Sequence, residues 1–394
     1  MRSSFRRLLA ASTLSNLGDG VIISAFPLLA ASLSSSPQAV AGMTAAATLP
    51  WLLFGLPAGV VVDRVNRVRL MWIVDLARAL SVAALGLMIL NGNASLVALY
   101  AVVFVLGIAE TLFDSAAMAV VPGLVGGESL EKANGRLFAG QLTANQFVGP
   151  PLGAMLFAAA ELLPPLVDAA TFLISALLLV GVRSPRTVES VEKRSLLFEL
   201  REGLAWVWQS RSIRTLAIGA AVINLAHTAA MAVLVLFAIE VLGLTPLGYG
   251  SLFVVSAVGA LGGSLTASRV VGHLGRRPTV LGSVAVMAVS LGAIGVTRSV
   301  VATAIGLLAI SLGGEFWNVV AVSYRQNATP DRLLGRVMSA YRFIAYGSFP
   351  LGAILGGWLA AKFGLPSTFV LGSALIAALL VFMLGALGDL DHPP

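Results

Sequence analysis

The chain has no cysteine, which excludes disulfides and thiolate metal sites. Charge is nearly as scarce, at 11% of 394 residues, where a soluble globular protein carries about 25%. A chain this poor in charge cannot cover a water-facing surface, and with 58% hydrophobic residues its solvent is lipid. It also lacks a P-loop glycine–lysine pattern, a metal-spaced histidine pair and a nucleophile elbow. An intrinsic ATP-driven pump is thereby excluded, an enzyme reading is weak, and no cofactor or metal is expected. The net charge of +7 does not point to nucleic acid. That partner needs basic residues gathered on one solvated face, and here they lie in short runs between apolar segments.

Those apolar segments number twelve, each roughly 20 residues or more, enough to span a bilayer: 8–31, 39–62, 70–90, 95–121, 136–159, 165–182, 214–241, 246–271, 279–297, 300–324, 336–361 and 366–388. Lipid offers no partner to open backbone, so all are expected to be helical. The N-terminal MRSSFRRLLAAS resembles the charged region of a signal peptide, but the long apolar stretch after it reads as an uncleaved first span. Lysine and arginine set the orientation. The N-terminus and alternate loops hold 21 of them, the opposite loops only Arg298 and Lys362. Both termini are therefore expected on the cytoplasmic side of the membrane.

The longest loop divides the chain into an N-terminal six-helix bundle (1–182), a linker (183–213) and a C-terminal six-helix bundle (214–394). Within the linker, Leu196, Leu197, Leu200, Leu204, Val207 and Trp208 recur at helical spacing, opposite Glu199, Arg201, Glu202 and Gln209. This is an amphipathic helix, expected to lie on the cytoplasmic membrane surface or to act as a solvated linker. The halves also repeat each other. Asn16-Leu17-Gly18-Asp19 answers to Asn224-Leu225-Ala226-His227, Glu110 to Glu315, Gly135-Arg136 to Gly335-Arg336, and Pro151-Leu152-Gly153-Ala154 to Pro350-Leu351-Gly352-Ala353. Duplicated six-helix bundles are the signature of a secondary transporter with its site near the midplane.

Gly59-x-x-x-Asp63-Arg64-x-Asn66-Arg67 resembles the loop 2–3 motif of the major facilitator superfamily. Asn16-Leu17-Gly18-Asp19-Gly20, Val121-Pro122-Gly123-Leu124-Val125, Ala133-Asn134-Gly135-Arg136 and Gly335-Arg336-Val337-Met338-Ser339 resemble its bacterial efflux branch of macrolide and enterobactin exporters. Gly140 and Gly149-Pro150-Pro151-Leu152-Gly153 are similar to the antiporter motif of proton-coupled drug exporters. The resemblance covers the whole chain. It implies an all-α membrane protein with twelve transmembrane helices in two pseudo-symmetric bundles, in a bacterial cytoplasmic membrane and acting as a monomer. There are two departures. Asn66 replaces the motif's glycine and is expected to keep a left-handed turn. Val68 replaces a basic residue and is expected to loosen the gate.

An ionisable group at mid-membrane is costly unless it faces a cavity or partner, so each is a functional candidate. At about 1.5 Å per residue, Asp19 lies roughly 16 Å into the first span. Glu110, Asn145, His227, Glu315 and Asn318 also fall near mid-depth, around what family packing makes one central cavity. Asp63, Arg67, Asp75, Arg78 and Asp114 lie nearer the cytoplasm and, with Arg64, resemble the superfamily's gating network; a static ion-pair lattice is the other reading. A carboxyl group in a low-dielectric cavity can load and release protons, and Asp19 is the first candidate, then Glu110. His227 can relay a proton or simply pack. Glu315 can attract a cationic substrate or pair with Arg342, and Arg342 can instead contact an anionic one. Asn16, Phe26, Phe113, Asn145, Asn224, Trp317, Asn318, Tyr341 and Tyr346 complete the expected substrate lining, although aromatics also serve as packing. Asp168 and Glu240 read as interfacial. The expected function is proton-coupled export of small, largely apolar compounds. The alternatives are a dedicated metabolite exporter, such as one for a siderophore, and a lipid-handling or sensory protein without coupled transport.

Overall fold

A computed structural model of the chain describes residues 3–125, 130–182, 196–387 and Leu390. Backbone in lipid must satisfy its own hydrogen bonds, and among the described residues there is helix and no strand. The first bundle contains α1 (Ser3–Leu33), α2 (Pro37–Arg64), α3 (Arg67–Leu90), α4 (Leu96–Val125), α5 (Leu130–Leu142), α6 (Gly149–Ala159) and α7 (Leu163–Val180). After α8 (Leu196–Gln209) come α9 (Arg211–Leu236), α10 (Pro246–Leu274), α11 (Arg276–Thr297), α12 (Val300–Ala328), α13 (Asp331–Phe363) and α14 (Leu365–Ala386). Ten of these, α9 counted with the π turn that continues it to Val241, are long and apolar enough to cross a membrane. The second and fifth expected spans correspond to α2, which carries Pro50 and Pro57, and to a helix interrupted between α5 and α6. Most helices run several residues past their apolar segments into the flanking charged turns, because hydrogen bonding continues where hydropathy stops.

The interruption is a π-helical stretch, Thr143–Val148. Pro150 and Pro151 follow it and bring no N–H to the preceding turn, a recognised cause of local rewinding. This stretch lies against α1 so closely that a Cβ on Gly149 would meet the Gly20 backbone. Ser24 also donates to the Pro150 carbonyl at 2.6 Å. The antiporter-like sequence thus forms the docking surface of its helix on α1.

Two units emerge, one of Met1–Ser35, Ala46–Glu192 and Thr245–Phe253, the other of Ser36–Ala45, Lys193–Leu244 and Val254–Pro394. In the first, α1 packs on α6 and α7, and α3 on α4 and α7. In the second, α9 packs on α13 and α14, and α11 on α12 and α14. Counted as spans the two pairing patterns are the same, so the sequence repeat is also a repeat of architecture.

One local expectation changes, and two other positions gain a structural setting. Asn66 is not left-handed: at φ −68° and ψ 110° it is the N-cap of α3, its side chain accepting from the Arg69 N–H at 2.9 Å. Asn is a preferred N-cap, so the substitution keeps the turn by another route. Val68 is buried in the apolar cluster with Phe5, Met71, Val120 and Leu124. Finally, α8 lies along α13. Its Glu202 pairs with Arg336 and its Val207 is fully buried, while Phe198 and Trp208 stay exposed.

Gly18 of α1 faces α7, where a Cβ would collide with the Asp168 carboxylate and the Thr171 hydroxyl, whereas Gly55 has open space. Gly18→Leu is therefore expected to destabilise the protein by about 1–3 kcal/mol through overpacking. Gly55→Leu should leave the midpoint of thermal unfolding in detergent unchanged.

Candidate functional site

The polar centre of the first unit is built around Arg78. From α3 its Nη1 lies 3.1 Å from the Ser15 hydroxyl and 3.5 Å from Asp19 Oδ2 on α1, and 3.7 Å from Asp75 Oδ1 one turn back. The guanidinium is fully buried, with Phe172 of α7 at 4.9 Å and Phe113 of α4 at 5.6 Å from ring centroid to Cζ. Asp75 is buried too, accepting from Ser15 at 3.2 Å and from Ser175 of α7 at 2.5 Å. Glu110 and Asp114, one turn apart on α4, lie within electrostatic reach of Arg78, and Glu110 is bonded to Trp51 of α2. Asp168 is fully buried beside Gly18, and neither of its carboxylate oxygens has a hydrogen-bond partner among the described residues. Five carboxyl groups thus share one guanidinium in a low-dielectric bundle. One buried cation cannot balance five carboxylates in such surroundings, which makes the cluster a candidate for taking up protons.

This arrangement redraws the expected grouping. Asp75 and Arg78 sit with Asp19, not with the loop. Phe113 and Phe26 are core residues, Phe113 packing on Arg78. The Asn16 amide is occupied by the Ser12 carbonyl at 2.8 Å. Asn145 lies in the π-helical stretch with its backbone against Gly20. At the loop, Arg67 donates to the Ala119 carbonyl of α4 at 2.9 Å and Arg64 is exposed. The Asp63 side chain lies outside the described residues.

The second unit contains a cavity of about 360 Å³ between α9, α11, α12 and α13. Asn224, Trp317, Asn318, Arg342, Tyr341 and Tyr346 line it, together with Arg325 and Phe349. Tyr346 and Phe349 stack with centroids 5.3 Å apart. The Asn224 amide donates to the Ala345 carbonyl at 3.0 Å. Glu315 and His227 do not line this cavity. Glu315 faces Gly263 of α10, and among the described residues no ion pair joins it to Arg342. His227 is exposed on α9, and Glu240 on the π turn that follows.

Two residues escaped the sequence reading. Asp168 was assigned to a helix end by counting, yet α7 begins at Leu163 and carries it inward against Gly18. The available clue was Gly18 beside Asp19, since glycines in membrane helices often mark close helix contacts. Arg325 was counted with a loop, but α12 continues to Ala328 and buries it.

Comparison with known proteins agrees with this architecture. The profile of the family described as transmembrane secretion effector matches residues 1–392. The multidrug efflux pump Tap of Mycolicibacterium fortuitum is 30% identical over 98% of this chain and 96% of its own length. Macrolide efflux protein A of Streptococcus pyogenes is 25% identical over 84% and 83%, respectively. The crystal structure of a variant of the nucleoside transporter NupG superposes with a TM-score of 0.82 at 9% identity, covering 98% of this chain and 100% of that one, a likeness of fold alone. The chain belongs to the transmembrane secretion effector family of the major facilitator superfamily.

Proposed function

We propose that this protein is a secondary active exporter of small, largely apolar compounds, driven by inward proton movement. The observation that carries the reading is the set of five carboxyl groups around the buried Arg78, two of them, Asp75 and Asp168, fully buried. Titratable groups inside a membrane bundle mark proton and ion pathways, and relatives named as multidrug and macrolide efflux proteins support export as the direction. In this reading Asp19, which keeps 12% of its side chain exposed, takes the proton. Asp75 and Ser15 hold Arg78 beside it. Glu110, Asp114 and Asp168 are further candidate proton carriers, lying in the same cluster as Asp19. The cavity of the second unit receives substrate. The loop carrying Asp63, Arg64 and Arg67 acts as a latch on α4 in an alternating-access cycle, in a monomer with both termini cytoplasmic.

The reading is tested by expressing the protein in a bacterium stripped of its own efflux pumps and preloaded with an apolar dye. Dye loss should be faster than in the empty-vector strain and should stop when a protonophore is added. Dye loss at the vector rate across a panel of structurally unrelated dyes and drugs would contradict it.

A further inference from the structure

We propose that the cavity of the second unit recognises an aromatic compound through an acidic end group, carboxylate or sulfonate, held by Arg325 and Arg342. This rests on reading that cavity as the substrate site, and it narrows the substrate class.

Charge is the first consideration. Two guanidinium groups line the cavity and no aspartate or glutamate does. Arg342 is exposed to solvent space, and its charge is felt at Arg325. Neither side chain can shed its proton in a protein, so the repulsion between them persists until an anion enters. Burial sharpens the problem at Arg325, which is only 4% exposed, with its Nε and Nη1 lacking any hydrogen-bond partner among the described residues. What it has is Tyr341, with a side-chain hydrogen bond and the ring centroid 3.4 Å from Cζ, and no carboxylate among the described residues. A ring face offsets only part of the cost of a buried cation; a paired anion offsets far more. The first unit's buried Arg78 also has two nitrogens, Nε and Nη2, without a hydrogen-bond partner among the described residues, but it differs in having Asp19 and Asp75 at ion-pair distance.

The remaining walls specify the rest of the ligand. Trp317 and the stacked Tyr346 and Phe349 offer flat apolar faces. A volume of about 360 Å³ suits one or two fused rings rather than a bulky macrocycle; small-molecule sites run from roughly 300 to 1,000 Å³. An arginine pair recognises a planar oxyanion by charge-assisted hydrogen bonds. A cationic amine would add a third positive charge to the same space.

The test is calorimetric, on the purified full-length protein, with three probes sharing one ring system: 2-naphthoate, 2-naphthylmethanol and 2-naphthylmethylamine. The expected order is carboxylate over alcohol over amine, with the carboxylate about tenfold or more tighter than the alcohol. Arg342→Gln, at an exposed position, should remove that advantage by weakening the carboxylate about tenfold or more and the alcohol much less, and Arg325→Gln should act in the same direction. Equal affinities, a preference for the amine, or no binding by any probe would overturn the proposal. So would an Arg342→Gln variant that binds all three as the wild type does. Because binding is read without transport, intact carboxylate selectivity in a protein that fails the dye-efflux test would sink the exporter reading and leave the site standing.

Discussion

Arg78→Ala is expected to abolish efflux and to destabilise the protein by about 3–5 kcal/mol, the usual cost of removing one partner from a buried ion pair. Arg78 is the only positive charge within ion-pair distance of both Asp19 and Asp75 among the described residues. Without it, Asp75 is buried with only the Ser15 and Ser175 hydroxyls, and the Phe113 and Phe172 rings lose the cation between them. Arg78→Lys should recover part of the stability but little of the transport. All three polar contacts come from Nη1 alone, so an ammonium has donors enough for them, but it lacks the planar guanidinium that fills the gap between the Phe113 and Phe172 rings. Thermal unfolding in detergent reads the first effect and dye efflux in cells the second. A stable, active Arg78→Ala protein would show that the cluster is dispensable.

Asp19→Asn is expected to leave folding intact and to reduce proton-driven efflux to the level of cells without the protein. Asp19 meets Arg78 at 3.5 Å, the edge of hydrogen-bonding distance, and Asn can keep that contact in a neutral form. What Asn cannot do is exchange a proton. The variant should therefore still bind substrate and exchange it down its gradient while failing to accumulate it against one. Radiolabelled substrate exchange measured beside net uphill transport separates the two. Equal loss of exchange and uphill transport would assign Asp19 to substrate binding or structure instead.

Much of the fold was legible because lipid imposes a single rule, that apolar runs of spanning length become helices, and the segment list follows the observed helices closely. The duplication was legible for a related reason: motifs such as Asn16-Leu17-Gly18-Asp19 and Asn224-Leu225-Ala226-His227 fall on helices that occupy the same place in their bundles, α1 and α9. The site was legible only in part. Depth along a helix can be counted, but rotation about its axis cannot, and rotation decides which side chains meet. Asp75 and Arg78 were placed at one depth and Asp19 at another, yet a long arginine side chain closes that gap. Phe26 and Phe113 lie at plausible depths but point into packing. Trp317, Asn318, Arg342 and Tyr346 do share a cavity, because α12 and α13 both turn these residues toward α9. Burial of Asp168 and Arg325 was not legible at all, since it depended on where α7 and α12 begin and end.

The most direct measurement of the central claim is proton movement in the reconstituted wild-type protein. In proteoliposomes with an acidic lumen, the account predicts that substrate accumulates inside, that the luminal pH rises as it does so, and that a protonophore abolishes both. Substrate accumulation that ignores the pH gradient, with no luminal pH change, would contradict it.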